Sequence, residues 1–273
     1  MNKQATLWEL LTDTTEPAVT IPMIQRDYAQ GRPDKGHILG PFLKDIRDCL
    51  SDENGYLTLD FVYGNTDNKR YYPLDGQQRL TTLWLVHWYL AFRLKKLEDK
   101  KISAALKRFS YQTRNSSSDF CGKLCDEMAR VDPDAVENIA KYIIGQGWFF
   151  ADWLQDPTVN AMLRALGGSK AIKNSSTEEN DEKDTANIEY VFRGTDLGNC
   201  WEKLTLENRI TFQLMVIGTD QLLISDDLYI KMNARGKKLT DFENFKADLV
   251  AHIQKLDSVQ DKLHYSTMID VDW

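Results

Sequence analysis

The sequence predicts an α+β fold: a small α/β unit over residues 1–100, then a mainly helical region over residues 101–273. Three observations predict it. Residues 71–84, YYPLDGQQRLTTLW, pass from a strand-like run (Tyr71, Tyr72, Leu74) through an Asp-Gly turn into an apolar run at helical spacing (Leu80, Leu83, Trp84, Val86, His87, Leu90). Glycine accepts the positive φ such a corner needs, and the change of period from two to 3.6 marks strand giving way to helix. Two further strand-like runs precede this junction. From residue 101 onwards helix-capping residues recur instead.

Taken in order, Ala5 to Leu11 reads as a short helix and Val19 to Ile24 as a strand, with Pro22 placing it at a sheet edge. Ile38, Phe42, Leu43, Ile46, Cys49 and Leu50 repeat at helical spacing and predict an amphipathic helix over about 38–50. Leu57 to Gly64 and Arg70 to Leu74 form a strand pair around the turn-rich Asn65-Thr66-Asp67-Asn68, and a helix runs from Gln77 to about Lys96. Ser116-Ser117-Ser118-Asp119 caps a helix reaching about Arg130, Asp132-Pro133 opens another ending near Gly145, and Trp148 to Leu154 and Pro157 to Leu166 follow. The Trp and Phe stripe reads as core rather than as a base-stacking platform. Residues 168–186 are polar and carry no aromatic side chain, which predicts a loop. Asn187 to Arg193 and Ile210 to Ile217 read as strands, Ser225-Asp226-Asp227 caps a helix to about Asn233, and Thr240-Asp241 caps a last one.

Composition narrows the function classes. With 273 residues, 42% hydrophobic and 27% charged, the chain has the make-up of a soluble globular protein. No apolar run approaches the roughly 18 residues of a membrane span, and Met1-Asn2-Lys3-Gln4 begins no signal peptide, so the expected location is cytoplasmic with no membrane partner. Cys49, Cys121, Cys125 and Cys200 make no disulfide framework; Cys121 and Cys125 share a helix face but no second pair completes a zinc site. His37, His87, His252 and His264 form no metal-nuclease pattern, and His87 is expected as a satisfied core or edge residue. A net charge of −7 excludes a uniformly basic DNA-binding surface. Local patches remain: Lys69-Arg70, the Arg93-Leu-Lys-Lys stretch (expected as a solvated face), Arg108 with Arg114, and Arg235 with Lys237 and Lys238.

The polar motifs carry the chemistry. A helix N-terminus attracts phosphate through its unpaired amides; Arg79 on the first turn adds a planar donor, and Asp75 on the corner can hold a divalent cation or orient water. The alternative is an Asp-Gly turn before an ordinary core helix. Gln25, Arg26, Asp75, Gln77, Gln78, Arg79, Asn233, Arg235 and Lys237 are the polar groups that could converge. Arginines from separate segments suit a triphosphate. Tyr28 and Tyr63 either flank a base or pack in the core. No G-x-x-x-x-G-K-[ST] loop is present.

Ile21-Pro22-Met23-Ile24-Gln25-Arg26-Asp27-Tyr28, then Phe61-Val62-Tyr63-Gly64, Asp75-Gly76-Gln77-Gln78-Arg79 and Asn233-Ala234-Arg235-Gly236-Lys237-Lys238-Leu239-Thr240 occur in this order. In these segments the chain resembles the GmrSD-type restriction endonuclease N-terminal domain, a ParB-like module, over most of residues 7 to 250. The resemblance implies a nucleotide-dependent part in restriction of modified phage DNA, with the DGQQR segment serving nucleoside triphosphate hydrolysis. Asp75, Gln78 and Arg79 would be catalytic, Asp75 also holding Mg2+, while Gln25, Arg26, Gly76, Gln77, Asn233, Arg235 and Lys237 would bind the nucleotide. It also implies cutting by a C-terminal nuclease domain, which nothing in this chain matches; the chain is expected to be a fragment or a stand-alone form acting through a partner subunit, with homo-oligomerisation open.

Three functions follow as expectations: a nucleoside triphosphatase regulating a DNA endonuclease; a DNA-binding or modification-sensing module that hydrolyses nothing; and direct nuclease action, for which Asp75 would need Asp27 or Asp60 as helpers.

Overall fold

The computed structural model describes residues 2–22, 27–112, 115–168 and 185–216. All belong to the first of two units into which the chain divides, Met1–Ile217 and Gly218–Trp273.

A mixed sheet runs through this unit. Its strands among the described residues are β1 (Asn2–Ala5), β2 (Ala18–Ile21), β3 (Leu57–Asp67), β4 (Arg70–Asp75), β5 (Phe109–Tyr111) and β6 (Ile210–Val216), in the spatial order β1-β6-β3-β4-β2-β5. β1 is antiparallel to β6 and β3 to β4; the β3–β6, β2–β4 and β2–β5 pairs are parallel. With the helices this is the α+β fold that the sequence predicts. β5 and β6 come from the later part of the chain, yet they extend the same sheet on its two sides.

Local chemistry explains the elements. Thr6 and Glu9 form a reciprocal capping box at the head of α1 (Leu7–Thr12), which buries Leu7, Leu10 and Leu11. α2 (Gly36–Ser51) buries Leu39, Leu43, Ile46 and Leu50 on one face. Asp67 pairs with Arg70 across the β3–β4 hairpin, so the turn is the two residues Asn68 (φ 46°) and Lys69 (φ 61°), both left-handed, as a type I′ connection requires. The sequence placed that turn earlier, at Asn65 to Asn68.

The helix after the Asp-Gly corner, α3 (Gln77–Arg93), is buried on every side from Leu80 to Phe92. A helix without a polar face must be surrounded. Its neighbours include α1, α4 (Lys100–Leu106), α7 (Pro157–Gly167) and α9 (Leu197–Thr205). Its two indoles are satisfied: Trp84 Nε1 donates to the Leu106 carbonyl at 2.9 Å and Trp88 Nε1 to that of Leu124 at 3.1 Å. His87 is fully buried, stacked on Trp8 with ring centroids 5.7 Å apart. Its Nδ1 donates to the Leu83 carbonyl at 2.7 Å, which leaves Nε2 buried with no partner. The expectation of a satisfied histidine therefore holds for one ring nitrogen. Burial lowers its pKa to about 4.

Several expectations are corrected. β2 is internal, flanked by β4 and β5, because the strand ends at Ile21 before Pro22 can interrupt its ladder. β1 has no strand signal in its sequence, Asn-Lys-Gln-Ala, and exists through its pairing with β6. Residues 187–193 form no strand but α8 (Ile188–Val191), capped by Asn187; Ile188, Val191 and Phe192 are buried at helical spacing. The capped helix from Ser116 is α5 (Asn115–Glu127) with a 3₁₀ end at Met128–Arg130. Asp132-Pro133 opens only a 3₁₀ turn, and the helix that follows, α6 (Ile139–Ile144), is capped by Asn138. In the aromatic stripe Trp153 is buried edge-on against Phe120 and Phe149, whereas Phe150 is exposed.

Arg93 is no member of a solvated face. Its Nη1 donates to the carbonyls of Pro133 (2.8 Å) and Val136 (3.0 Å), and its Nη2 pairs with Glu189. One guanidinium thus ties α3 to the 3₁₀ turn and to α8. Burial raises the pKa of Glu189 and Arg93 opposes that shift.

Candidate functional site

The parallel strands β2 and β4 lie side by side, so their C-terminal ends open at the same edge of the sheet. In open sheets ligands bind at such ends. β4 stops at Asp75; Gly76 turns the chain with φ 89° and ψ −2°, and α3 starts at Gln77. Only glycine fits here, since a Cβ would stand 2.8 Å from Val62 Cγ2 in a backbone conformation that side chains disfavour. No side chain caps this helix start, and its dipole favours negative charge at that end.

β3 extends past the end of β4 and reaches this corner. Its pairing with β6 slips there: Leu59 faces Phe212 and Val62 faces Leu214, so Asp60 and Phe61 together oppose one residue, a β-bulge. The bulge turns Phe61 outward beside Asp60, although strand alternation from buried Leu59 would put it inside. Arg79 takes advantage of the interruption. Its Nη2 donates to the Phe61 carbonyl at 2.9 Å and lies 3.5 Å from Asp75 Oδ2, while Nη1 lies 3.2 Å from Asp60 Oδ2. The guanidinium is mostly covered, Asp75 is half exposed and Asp60 almost fully exposed.

Gln78 points the other way. Its Oε1 accepts from the backbone N–H groups of Ala29 (2.7 Å) and Gln30 (3.3 Å), and its Nε2 donates to the Asp27 carbonyl at 2.8 Å. One turn on, Thr82 Oγ1 meets the Tyr28 hydroxyl at 2.9 Å and donates to Gln30 Oε1. The end of the IPMIQRDY segment is therefore bound to the DGQQR helix. Asp75, Gly76, Gln77, Gln78 and Arg79 share one corner, with Asp27 to Gln30 fastened beside them. Gln25, Arg26, Asn233, Arg235 and Lys237 lie outside the described residues.

Residues 7–250 match the family described as GmrSD restriction endonuclease, N-terminal domain. The chain belongs to that family. The match spans most of its 273 residues and ties the chain to restriction, a defence function. No curated protein matches the chain.

Membership in the GmrSD N-terminal family leaves the ligand to chemistry. Tyr28 is buried, with its pKa raised by burial, and is a core residue rather than a base flank. The exposed aromatic at the corner is Phe61, which the sequence offers only as part of the Phe61-Val62-Tyr63-Gly64 segment, with no role of its own; the adjacent apolar pair Phe61-Val62 after Leu59, out of step with strict alternation, is the signal that marks it. The four cysteines are free and buried, and burial pushes the Cys125 thiol up to about 12. No group of three or more His, Cys, Asp or Glu that could hold a metal occurs among the described residues. Nor is any helix among them long and apolar enough to cross a membrane. Of the basic patches, Arg108 is engaged with the carbonyls of Asp13 and Glu16.

Proposed function

We propose that the chain is the nucleotide-binding, nucleoside triphosphate-hydrolysing module of a DNA restriction system that acts on modified phage DNA. The supporting observation is the corner itself: Gly76 turns the chain so that Asp75 and Arg79 flank an uncapped helix start at the C-terminal end of a parallel strand. Arg79 gives planar charge to phosphate oxygens, and the amides at the head of α3 add neutral donors. Asp75 orients the attacking water. Phe61, whose carbonyl Arg79 binds, is exposed and offers a ring on which a base can lie. Gln25, Arg26, Gln77, Asn233, Arg235 and Lys237 are proposed as nucleotide-binding residues as well.

Two carboxylates, Asp60 and Asp75, reach the same guanidinium, and a pair of carboxylates fits Mg2+, which takes its other ligands from phosphate and water. Bound there, Mg2+ would supply charge neutralisation on the phosphates. DNA cutting falls to a nuclease domain or partner subunit, with DNA, modified or not, as the target.

The test is phosphate release from each of the four common nucleoside triphosphates with Mg2+, with and without DNA. Asp75→Ala and Arg79→Ala should each lower the rate by about a hundredfold or more while the fold is kept. No hydrolysis by the wild type, with DNA binding that needs Arg79 and weakens steeply with salt, would replace this reading by a DNA-sensing module.

A further inference from the structure

Gln78 carries the polar side chain of the DGQQR segment that is committed away from the corner. Two backbone N–H groups face its Oε1 and one carbonyl faces its Nε2, so the amide orientation is fixed by its partners. Among side chains of this length only a primary amide both accepts and donates in this way; glutamate at neutral pH has no donor and lysine no acceptor. The loop it holds is also fastened from the far side. The Tyr28 N–H donates to Thr158 Oγ1 at 3.2 Å on α7, and Gly31 lies so close to α7 that a Cβ there would stand 1.8 Å from the Ala161 carbonyl oxygen. Asp27 to Gly31 is thus pressed onto α7 and latched to α3, with the buried Tyr28 between.

We propose that Gln78 is a positioning residue: it latches Asp27 to Gln30, at the end of the IPMIQRDY segment, to the DGQQR helix before any ligand arrives. Its effect on nucleotide binding rests on the reading above; the latch does not. A ligand spanning both motifs then meets an ordered loop, and without the latch the cost of ordering it falls on binding.

The test uses the full chain and two readouts. Backbone amide exchange at Ala29 and Gln30 should quicken by about tenfold or more in Gln78→Ala, with the β3–β4 ladder amides unchanged. Gln78→Glu keeps the acceptor but sets a carboxylate against the Asp27 carbonyl; its loss of protection should reverse as pH falls and the carboxyl gains a proton to donate. Affinity for the Mg2+ complexes of ATP and GTP, measured at neutral pH, should fall about tenfold in Gln78→Ala. Unchanged exchange at Ala29 and Gln30, or exchange of Gln78→Glu without pH recovery, overturns the latch. Lost protection with undiminished affinity overturns its role in binding. A wild type that binds neither nucleotide, with the exchange pattern as stated, upholds the latch and overturns the nucleotide reading instead.

Discussion

The carbonyl of Phe61, released from the sheet by a bulge, accepts a hydrogen bond from Arg79 Nη2 at 2.9 Å. The bulge thereby does two things at one place: it anchors the arginine through a backbone group, and it brings the Phe61 ring to the surface.

Arg79→Lys separates these functions from plain charge. A lysine keeps the positive charge but not the planar fork that spans the Phe61 carbonyl and two carboxylates. Hydrolysis should fall at least about tenfold, with stability changed by about 1 kcal/mol, since the lysine keeps the charge opposite Asp60 and Asp75 and loses the bond to the Phe61 carbonyl. Full activity in Arg79→Lys would show that positive charge alone, without the planar fork, serves the reaction.

Phe61→Ala should weaken nucleotide binding by about 1 kcal/mol or more, as loss of one base-stacking surface does. The melting temperature should stay within a few degrees, because the ring is 56% exposed. Phe61→Trp should retain affinity. Equal affinity in wild type and Phe61→Ala, measured by titration, would exclude stacking on this residue.

Gly76→Ala tests the corner. The added methyl group meets Val62 at 2.8 Å with φ at 89°, so a loss of about 1–3 kcal/mol is expected in chemical denaturation. Pairing it with Val62→Ala removes the clash and should return part of that loss, leaving the backbone term.

Much of this corner was legible beforehand. Asp-Gly between a strand run and a helical run fixes a turn, and the polar residues around it mark the candidate site. What was not legible is where each side chain points. Gln78 and Arg79 are neighbours in sequence, yet one reaches the loop after β2 and the other the bulge of β3. Those partners are set by long-range pairing, as is β1, whose four residues have no strand preference of their own. The short α8 is hard to tell from a strand in sequence because an apolar run of this length fits either period; Ile188, Val191 and Phe192 at helical spacing carry the helical answer.

Acid should expose the cost of His87. Its folded pKa, about 4, lies below the ordinary 6.5, so the unfolded chain takes up the proton first. Above pH 6.5 this histidine contributes no pH dependence; as pH falls from 6.5 to 4 it should lower stability by up to about 3 kcal/mol. His87→Gln should flatten that part of the stability profile, and an unchanged slope in the variant would show that other groups carry it.

Arg93→Ala leaves Glu189 buried without its partner, for an expected loss of about 3–5 kcal/mol. The deficit should shrink towards acid pH, since the folded carboxyl, with its raised pKa, gains a proton before the unfolded one. Arg93→Met with Glu189→Leu should regain most of the stability; a double variant no better than Arg93→Ala would mean that the lost carbonyl contacts dominate.

The pairing of β3 with β6 sets a timetable for synthesis. Leu57 finds its partner in Ile210, so a nascent chain that has emerged only as far as the DGQQR helix has one flank of β3 still unpaired. Contacts so distant in sequence form late and slowly. Until Val216 leaves the ribosome, the exposed strand is open to neighbouring chains, and coexpressed holding chaperones should raise the soluble yield more than any change at the corner itself.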